Sequence, residues 1–232
     1  MFHYEKAWQE VTTRIARAAE RAGRDPADVR LLAVSKTFAA DAVRAVHALG
    51  QRAFGENYVQ EGASKMDALS DLLAVEWHLI GPLQSNKAGI AAQRFAWVHT
   101  VDRVKIAARL SAARPGEAPA LNVCVQVNAS GEATKSGVAP AAAVALARSV
   151  AEFPNLRLRG IMGIPEPADD SRTRRSQFRV LAGCLDECKA AGLAMDTLSM
   201  GMSDDLEDAI AEGATLVRVG TAIFGTRGAA PD

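Results

Sequence analysis

Short apolar runs alternate with longer stretches in which apolar residues recur three or four positions apart, and the alternation persists along the whole chain. In order, the runs are Leu31–Ser35 (LLAVS), Arg52–Gly55 (RAFG), Trp77–Gly81 (WHLIG), Trp97–Thr100 (WVHT), Leu121–Asn128 (LNVCVQVN), Leu158–Gly163 (LRGIMG), Thr197–Met200 (TLSM) and Leu216–Gly220 (LVRVG). Each is read as a strand. The stretches Ala40–Leu49, Val104–Ala113, Ala141–Phe153, Ser176–Ala191 and Asp204–Glu212 are rich in alanine, leucine, arginine and glutamate. They read as amphipathic helices. A further helix, Tyr4–Ala22, ends at Gly23, and Asp25-Pro26 reads as an N-cap followed by proline at the first position of a short turn.

Strand and helix alternating in this way imply parallel strands joined by right-handed crossovers, a sheet covered by helices. The 232 residues suit a closed (β/α)8 TIM barrel, for which about 250 is typical. The opening helix then packs outside the barrel or across its bottom. A doubly wound open sheet is the structural alternative. Residues 1–232 read as a single domain, because no Pro/Ser/Gly linker, charge block or internal repeat divides them. The segment Gly163–Arg175 (GIPEPADDSRTRR) is read as a solvent-exposed excursion after the sixth strand.

Charge narrows the function classes. Lysine plus arginine equals aspartate plus glutamate at 27 each, so no global field collects polyanions and general nucleic-acid binding is disfavoured. The neutral balance and the lack of an apolar surface stripe fit a monomer. Cys124, Cys184 and Cys188 form no CxxC pair and leave an odd thiol, which suggests a reducing compartment. Cys184 and Cys188, four apart in a helix, are either a weak metal pair or packing residues; with His3, His47, His78 and His99 scattered singly, packing is favoured and no metal is expected. The start, MFHYEKAWQE, lacks a signal peptide's apolar stretch, and no run approaches the ~18 residues of a membrane-spanning helix. A cytoplasmic location without membrane contact is the expectation.

In such a barrel, reacting groups sit where strands end and loops begin. Strand one ends in Ser35-Lys36-Thr37. A lysine behind LLAV in the mouth would be partly desolvated, which favours the neutral amine that attacks aldehydes. The alternative is a lysine snorkelling out from the strand end, and strand one alone leaves both open. Strand seven runs into Ser199-Met200-Gly201-Met202-Ser203, and Ser203 is the candidate N-cap of a helix opened by Asp204 and Asp205. Strand eight runs into Arg218, Gly220 and Thr221. Loops after strands seven and eight commonly hold phosphate on backbone N–H groups. Since Asp204 and Asp205 would repel it, the closer cradle is Gly220 and Thr221, with Ser199 and Gly201 at the side. Arg218 points either into the mouth or outward to a helix; a guanidinium beside an aromatic nitrogen leaves that nitrogen unprotonated.

These residues fall within a longer series: AVSKT (Ala33–Thr37), FGENYVQE (Phe54–Glu61), WHLIGPLQSNK (Trp77–Lys87), SGVAP (Ser136–Pro140), LRGIMGI (Leu158–Ile164), LSMGMSDD (Leu198–Asp205) and VRVGTAIFG (Val217–Gly225). In these segments the chain resembles the pyridoxal phosphate homeostasis proteins, single barrels related to the alanine racemase N-terminal barrel. The resemblance implies a fold-type III-like barrel with pyridoxal 5'-phosphate as a Schiff base on Lys36. It implies a phosphate near Ser199, Gly201, Ser203, Gly220 and Thr221, and a ring nitrogen facing Arg218. Asn57, His78 and Met162 are implied to line the same pocket. One departure is visible: where family members often continue with a second lysine and proline, this chain has Phe38-Ala39.

The resemblance also implies a carrier or buffer in vitamin B6 homeostasis, with apo-enzymes as receivers and no established reaction, so no catalytic residue is assigned. The alternative is a racemase-like enzyme acting on a small amino acid. Racemases of the related fold add a second domain and a tyrosine base, whereas only seven residues follow Gly225 here and the tyrosines are Tyr4 and Tyr58. An unguarded cofactor face favours exchange over carbanion chemistry. A third reading makes the barrel a scaffold whose Gly163–Arg175 loop meets a partner. Lys65, Lys87 and Lys135 are other amines for aldehyde capture, with a secondary site conceivable at Lys135-Ser136-Gly137.

Overall fold

The computed structural model describes residues 4–131 and 136–226. Eight parallel strands, β1 (Arg30–Val34), β2 (Ala53–Glu56), β3 (Glu76–Leu79), β4 (Trp97–Val101), β5 (Leu121–Gln126), β6 (Leu156–Met162), β7 (Thr197–Ser199) and β8 (Leu216–Val219), pair in chain order, and β8 pairs with β1 to close the barrel. The helices are α1 (Tyr4–Arg21), α2 (Ala40–Ala48), α3 (Val59–Ala68), α4 (Ala88–Arg94), α5 (Val104–Ala113), α6 (Ala143–Ala151), α7 (Ser171–Ala190), α8 (Leu206–Ala211) and α9 (Thr221–Phe224). The TIM-barrel reading holds, and the open sheet is excluded by the β1–β8 ladder, where Leu32 lies opposite Arg218.

All eight apolar runs are strands, because a parallel strand under helices must bury both faces. One face, with Ala33, Phe54, Leu79, Val98, Val123, Ile161, Leu198 and Val217, belongs to the main core. Against it pack the apolar stripes of the helices, such as Val43 and Val46 of α2, Ile106 and Leu110 of α5, and Leu181 and Leu185 of α7. Each such side chain contributes roughly 1.5–3 kcal/mol by leaving water. Cys184 and Cys188 are buried in this layer, and among the described residues no group of three or more His, Cys, Asp or Glu could hold a metal ion. No described helix is long and apolar enough to cross a membrane.

The opening helix takes the outside position. Since α9 after β8 has only four residues, α1 does the covering there and packs beside α8, α9 and α2. Arg14 forms a bidentate pair with Glu207 of α8 at 2.9 and 3.0 Å, and the Tyr4 ring meets Phe224 of α9 edge-on at 6.2 Å. The Asp25 cap is as expected: its carboxylate accepts from the Ala27 N–H at 2.9 Å.

Two expectations are corrected. The segment 163–175 is only partly a loop, because α7 begins at Ser171, capped by Asp170, whose carboxylate accepts from the Thr173 N–H at 2.8 Å. Its arginines tie α7 to α8: Arg174 to Asp208 at 2.7 Å and Arg175 to Glu212 at 2.6 Å. Ser203 is not an N-cap either. The α8 helix begins at Leu206 with Asp205 at the cap position, and the Asp205 carboxylate accepts from the Met202 N–H at 2.6 Å. That carboxylate closes the preceding turn, so Asp204 and Asp205 precede the helix rather than opening it.

Candidate cofactor-binding site

The other face of each strand points into the lumen, as the two-residue period of a strand requires. Leu32, Val34, Ala53, Ile80 and Leu216 form one apolar cluster there, and Trp97, Cys124 and Met162 another. Met162 is therefore a buried lumen residue at the end of β6. Burial pushes the Cys124 thiol up to about 12, so it stays protonated and inert.

Lys36 follows the lumen series Leu32, Val34 at the end of β1 and is half-buried. The chain on both sides of it is clamped. Lys65 of α3, itself buried, donates to the Ser35 carbonyl at 2.6 Å, to Glu56 at 2.8 and 3.0 Å and to Glu61 at 2.8 Å. The Ser35 hydroxyl donates to Glu56 at 2.6 Å, and the Thr37 N–H to Glu61 at 2.5 Å. Burial pushes the Glu56 carboxyl up, against the bonds from Lys65 and Ser35 that pull it down. Thr37 has φ +68°, an unusual backbone for a β-branched residue. Such strain persists only where neighbouring bonds over-determine it, and Glu61 supplies one. Lys65 thus spends all three ammonium protons, and it is a support for Lys36 rather than a second free amine.

On the far side of β1, Arg218 points into the lumen, which settles its orientation. Its Nη1 donates to the Ser199 carbonyl at 2.6 Å and hydroxyl at 2.9 Å, and its Nη2 to the Gly163 carbonyl at 2.9 Å. Those three bonds leave two of the guanidinium's five N–H groups. Burial pulls Arg218 down to about 10, so it still carries its proton at neutral pH. The Ser199 hydroxyl contacts His99 Nδ1 at 3.0 Å, His99 Nε2 contacts His78 Nδ1 at 2.9 Å, and His78 Nε2 contacts Glu76 at 2.8 Å. His78 stacks on Trp97 with ring centroids 5.2 Å apart. Both histidines are fully buried and held below the usual imidazole range, first by desolvation. His78 and Ser199 therefore lie within the lumen, engaged with protein partners, rather than on the rim.

The remaining expected residues sit around the mouth. Gly220 adjoins β1 so closely that an added Cβ would lie 3.1 Å from the Val34 carbonyl. Gly201 has φ +91°, and a Cβ there would lie 2.5 Å from Ala209 Cβ. Thr221 is exposed at the first position of α9. Ser203 is half-buried, its carbonyl accepting from Arg14 at 3.0 Å. Among the described residues, the backbone N–H groups of Ser203, Thr221 and Ala222 have no partner. Asn57 is half-buried after β2, its backbone so close to Gly81 that a Cβ there would collide with it. Tyr58 is 62% exposed rather than packed. Phe38, the departure noted above, stacks on Phe224 with centroids 5.2 Å apart. Lys135 lies outside the described residues. The residues that sequence reasoning missed are His99, Glu56 and Glu61, and Lys65 in its supporting role.

Residues 8–228 match the family model described as alanine racemase, N-terminal domain. A pyridoxal phosphate homeostasis protein of Pseudomonas aeruginosa is 58% identical over 218 residues, covering 94% of this chain and 93% of that one. The chain belongs to the pyridoxal phosphate homeostasis protein family. The member from Escherichia coli is 50% identical over 220 residues, with 94% of each chain covered. Among solved structures, PipY of Synechococcus elongatus with pyridoxal phosphate bound is 37% identical, with a TM-score of 0.79 over 91% of this chain and all of that one. An alanine racemase of Clostridium difficile, at 14% identity and a TM-score of 0.73 over 95% of this chain and 57% of that one, shares the fold.

Proposed function

We propose that this chain binds pyridoxal 5'-phosphate reversibly at the barrel mouth, with Lys36 as the amine that meets its aldehyde, and serves vitamin B6 homeostasis as a carrier that delivers the cofactor to apo-enzymes. One observation carries the reading. Lys36 stands clamped at the end of β1, two residues beyond Val34, which Gly220 adjoins, while Arg218 lies on the neighbouring strand with two N–H groups to spare.

The residues present fit the group. Lys36 would supply the amine that holds its aldehyde, a condensation that releases one water and that water would reverse. Arg218, a donor that keeps its proton, suits an unprotonated ring nitrogen, which weakens the ring as an electron sink. Backbone N–H groups at Ser203, Thr221 and Ala222 suit a phosphate, and the lack of a Cβ at Gly220 lets this turn pack against Val34 of β1. Asn57 is half-buried just after β2, and Met162 lies deeper, buried in the lumen with Trp97 and Cys124. This arrangement holds an aldehyde without preparing a carbanion, which favours a carrier over the racemase-like alternative. Of the two tyrosines, Tyr4 packs against Phe224, and Tyr58 is 62% exposed. The buried thiols suit the reducing cytoplasm, where we infer that the protein acts as a monomer.

The experiment is spectroscopic. Pyridoxal phosphate added to the protein produces a visible band that borohydride bleaches, and peptide mass analysis finds the adduct on Lys36. A band that survives unchanged in Lys36→Ala overturns the assignment. Alpha-hydrogen exchange of amino acids in deuterated water, lost in that variant, would move the reading from carrier to enzyme.

A further inference from the structure

Five lumen side chains on four strands form an unbroken series: Arg218 of β8, Ser199 of β7, His99 of β4, and His78 and Glu76 of β3. The successive contacts are 2.9, 3.0, 2.9 and 2.8 Å. Both ends have fixed roles, since a guanidinium only donates and a carboxylate only accepts. The carboxylate requires a proton on His78 Nε2, which leaves Nδ1 of the neutral ring as an acceptor. His99 must then carry its proton on Nε2, so its Nδ1 accepts from the Ser199 hydroxyl. That hydroxyl in turn accepts from Arg218. Only this direction satisfies every atom with both rings neutral.

The far end reaches water. The Glu76 side chain is 34% exposed and pairs with Arg30, whose side chain is 48% exposed, at 2.6 Å. Glu76 is held down to about 2, first by the bond from His78, so the accepting end is ionised throughout the neutral range. The charged or titratable groups nearest the series are Arg30, Cys124, Arg159 over the Trp97 ring, and Asp205, which acts on Arg218 through space.

We propose that Glu76, His78, His99 and Ser199 are positioning residues that work as a one-way hydrogen-bond relay, through which the solvent-facing Arg30–Glu76 pair, at the end of the barrel where β1 and β3 begin, governs how Arg218 is held beside the ligand. If the carboxylate is lost, His78 is free to change tautomer. The change then passes through His99, whose Nδ1–H would donate to the Ser199 oxygen, so that Arg218 shares this acceptor with a second donor and is held less firmly. The ligand part of this proposal rests on the reading of Arg218 given above; the relay itself does not.

The first test uses the unmodified protein without ligand. Long-range proton–nitrogen NMR spectra at neutral pH should show both buried histidines protonated on Nε2 alone. A proton on Nδ1 of either ring overturns the relay. The second test is Glu76→Gln, whose amide offers either a donor or an acceptor. It should mix the tautomers of both rings, weaken pyridoxal phosphate binding about threefold to tenfold and shift the bound ligand's visible band. Combined with Ser199→Ala, it should weaken binding no further than Ser199→Ala alone. Additive losses, or tautomers in Glu76→Gln that match the parent, overturn the proposal. Because the tautomer readout needs no ligand, failure of Lys36 to capture the aldehyde is distinguishable from failure of the relay.

Discussion

Lys65 Nζ lies 2.6 Å from the carbonyl oxygen of Ser35, so a buried ammonium on α3 holds the peptide unit directly before the candidate amine. The same ammonium neutralises Glu56, which is wholly buried. Replacing Lys65 by methionine leaves that carboxylate without a counter-charge, a defect worth about 3–5 kcal/mol. Chemical denaturation of Lys65→Met should show a loss of this size, and Glu56→Gln in the same chain should restore part of it. Borohydride trapping of an aldehyde on Lys36 should also slow in the single variant, because the flanking peptides are released.

Stability should depend on pH through His78 and His99. Both have folded-state values below the unfolded value of about 6.5, so the unfolded chain takes up more protons as pH falls. Their contribution is complete above pH ~6.5 and declines below it, by up to about 1.4 kcal/mol per ring for each pH unit. Glu76 adds a second decline between about 4.5 and about 2. Urea midpoints measured from pH 7.5 to 5 should fall accordingly, and His99→Asn should show a shallower slope from a lower starting stability.

Gly160 of β6 lies opposite Thr197 of β7, and a Cβ there would collide with the Thr197 carbonyl. Backbone on both sides prevents relief by a rotamer change. Gly160→Ala should cost about 3 kcal/mol or more, whereas Gly183→Ala, in open space on α7, should be neutral or mildly stabilising. Thermal unfolding of the two variants side by side checks this.

Phe38→Ala removes the ring stacked on Phe224. The expected loss is about 1–2 kcal/mol, with faster hydrogen exchange concentrated in α9. A uniform rise in exchange over the whole barrel would contradict a local role.

The strands were legible because each is a short apolar run between polar or glycine-rich turns. The helices were less so. The α3 sequence, VQEGASKMDA, carries Gly62 and few large apolar residues, and α4 has seven residues with Gly89 inside. Neither sustains an apolar stripe long enough to stand out. The strand-end positions of Lys36, Gly220 and Arg218 were legible, but the inward course of Arg218 was not, because its strand position alone allows a lumen or an outward facing and only the fold shows Ser199 and Gly163 accepting from it. Lys65 was not, because a lysine within a helix ordinarily reads as solvated, and only the fold shows Ser35, Glu56 and Glu61 converging on it. His99 was equally hidden: a lone histidine inside an apolar strand gives no sign that another imidazole lies 2.9 Å away. Ser203 misled because a side-chain cap was judged without its competitor, Asp205, two residues on.

The position of α1 bears on how the chain folds as it is made. Its apolar stripe, Val11, Ile15, Ala18 and Ala19, is covered partly by α8 and α9, which a ribosome delivers some two hundred residues later. Contacts so distant in sequence form slowly and leave greasy surface uncovered in the meantime. A nascent chain stalled before residue 206 therefore exposes this stripe and an unpaired β1 edge together, which makes the interval before release the time when chaperones have most to protect.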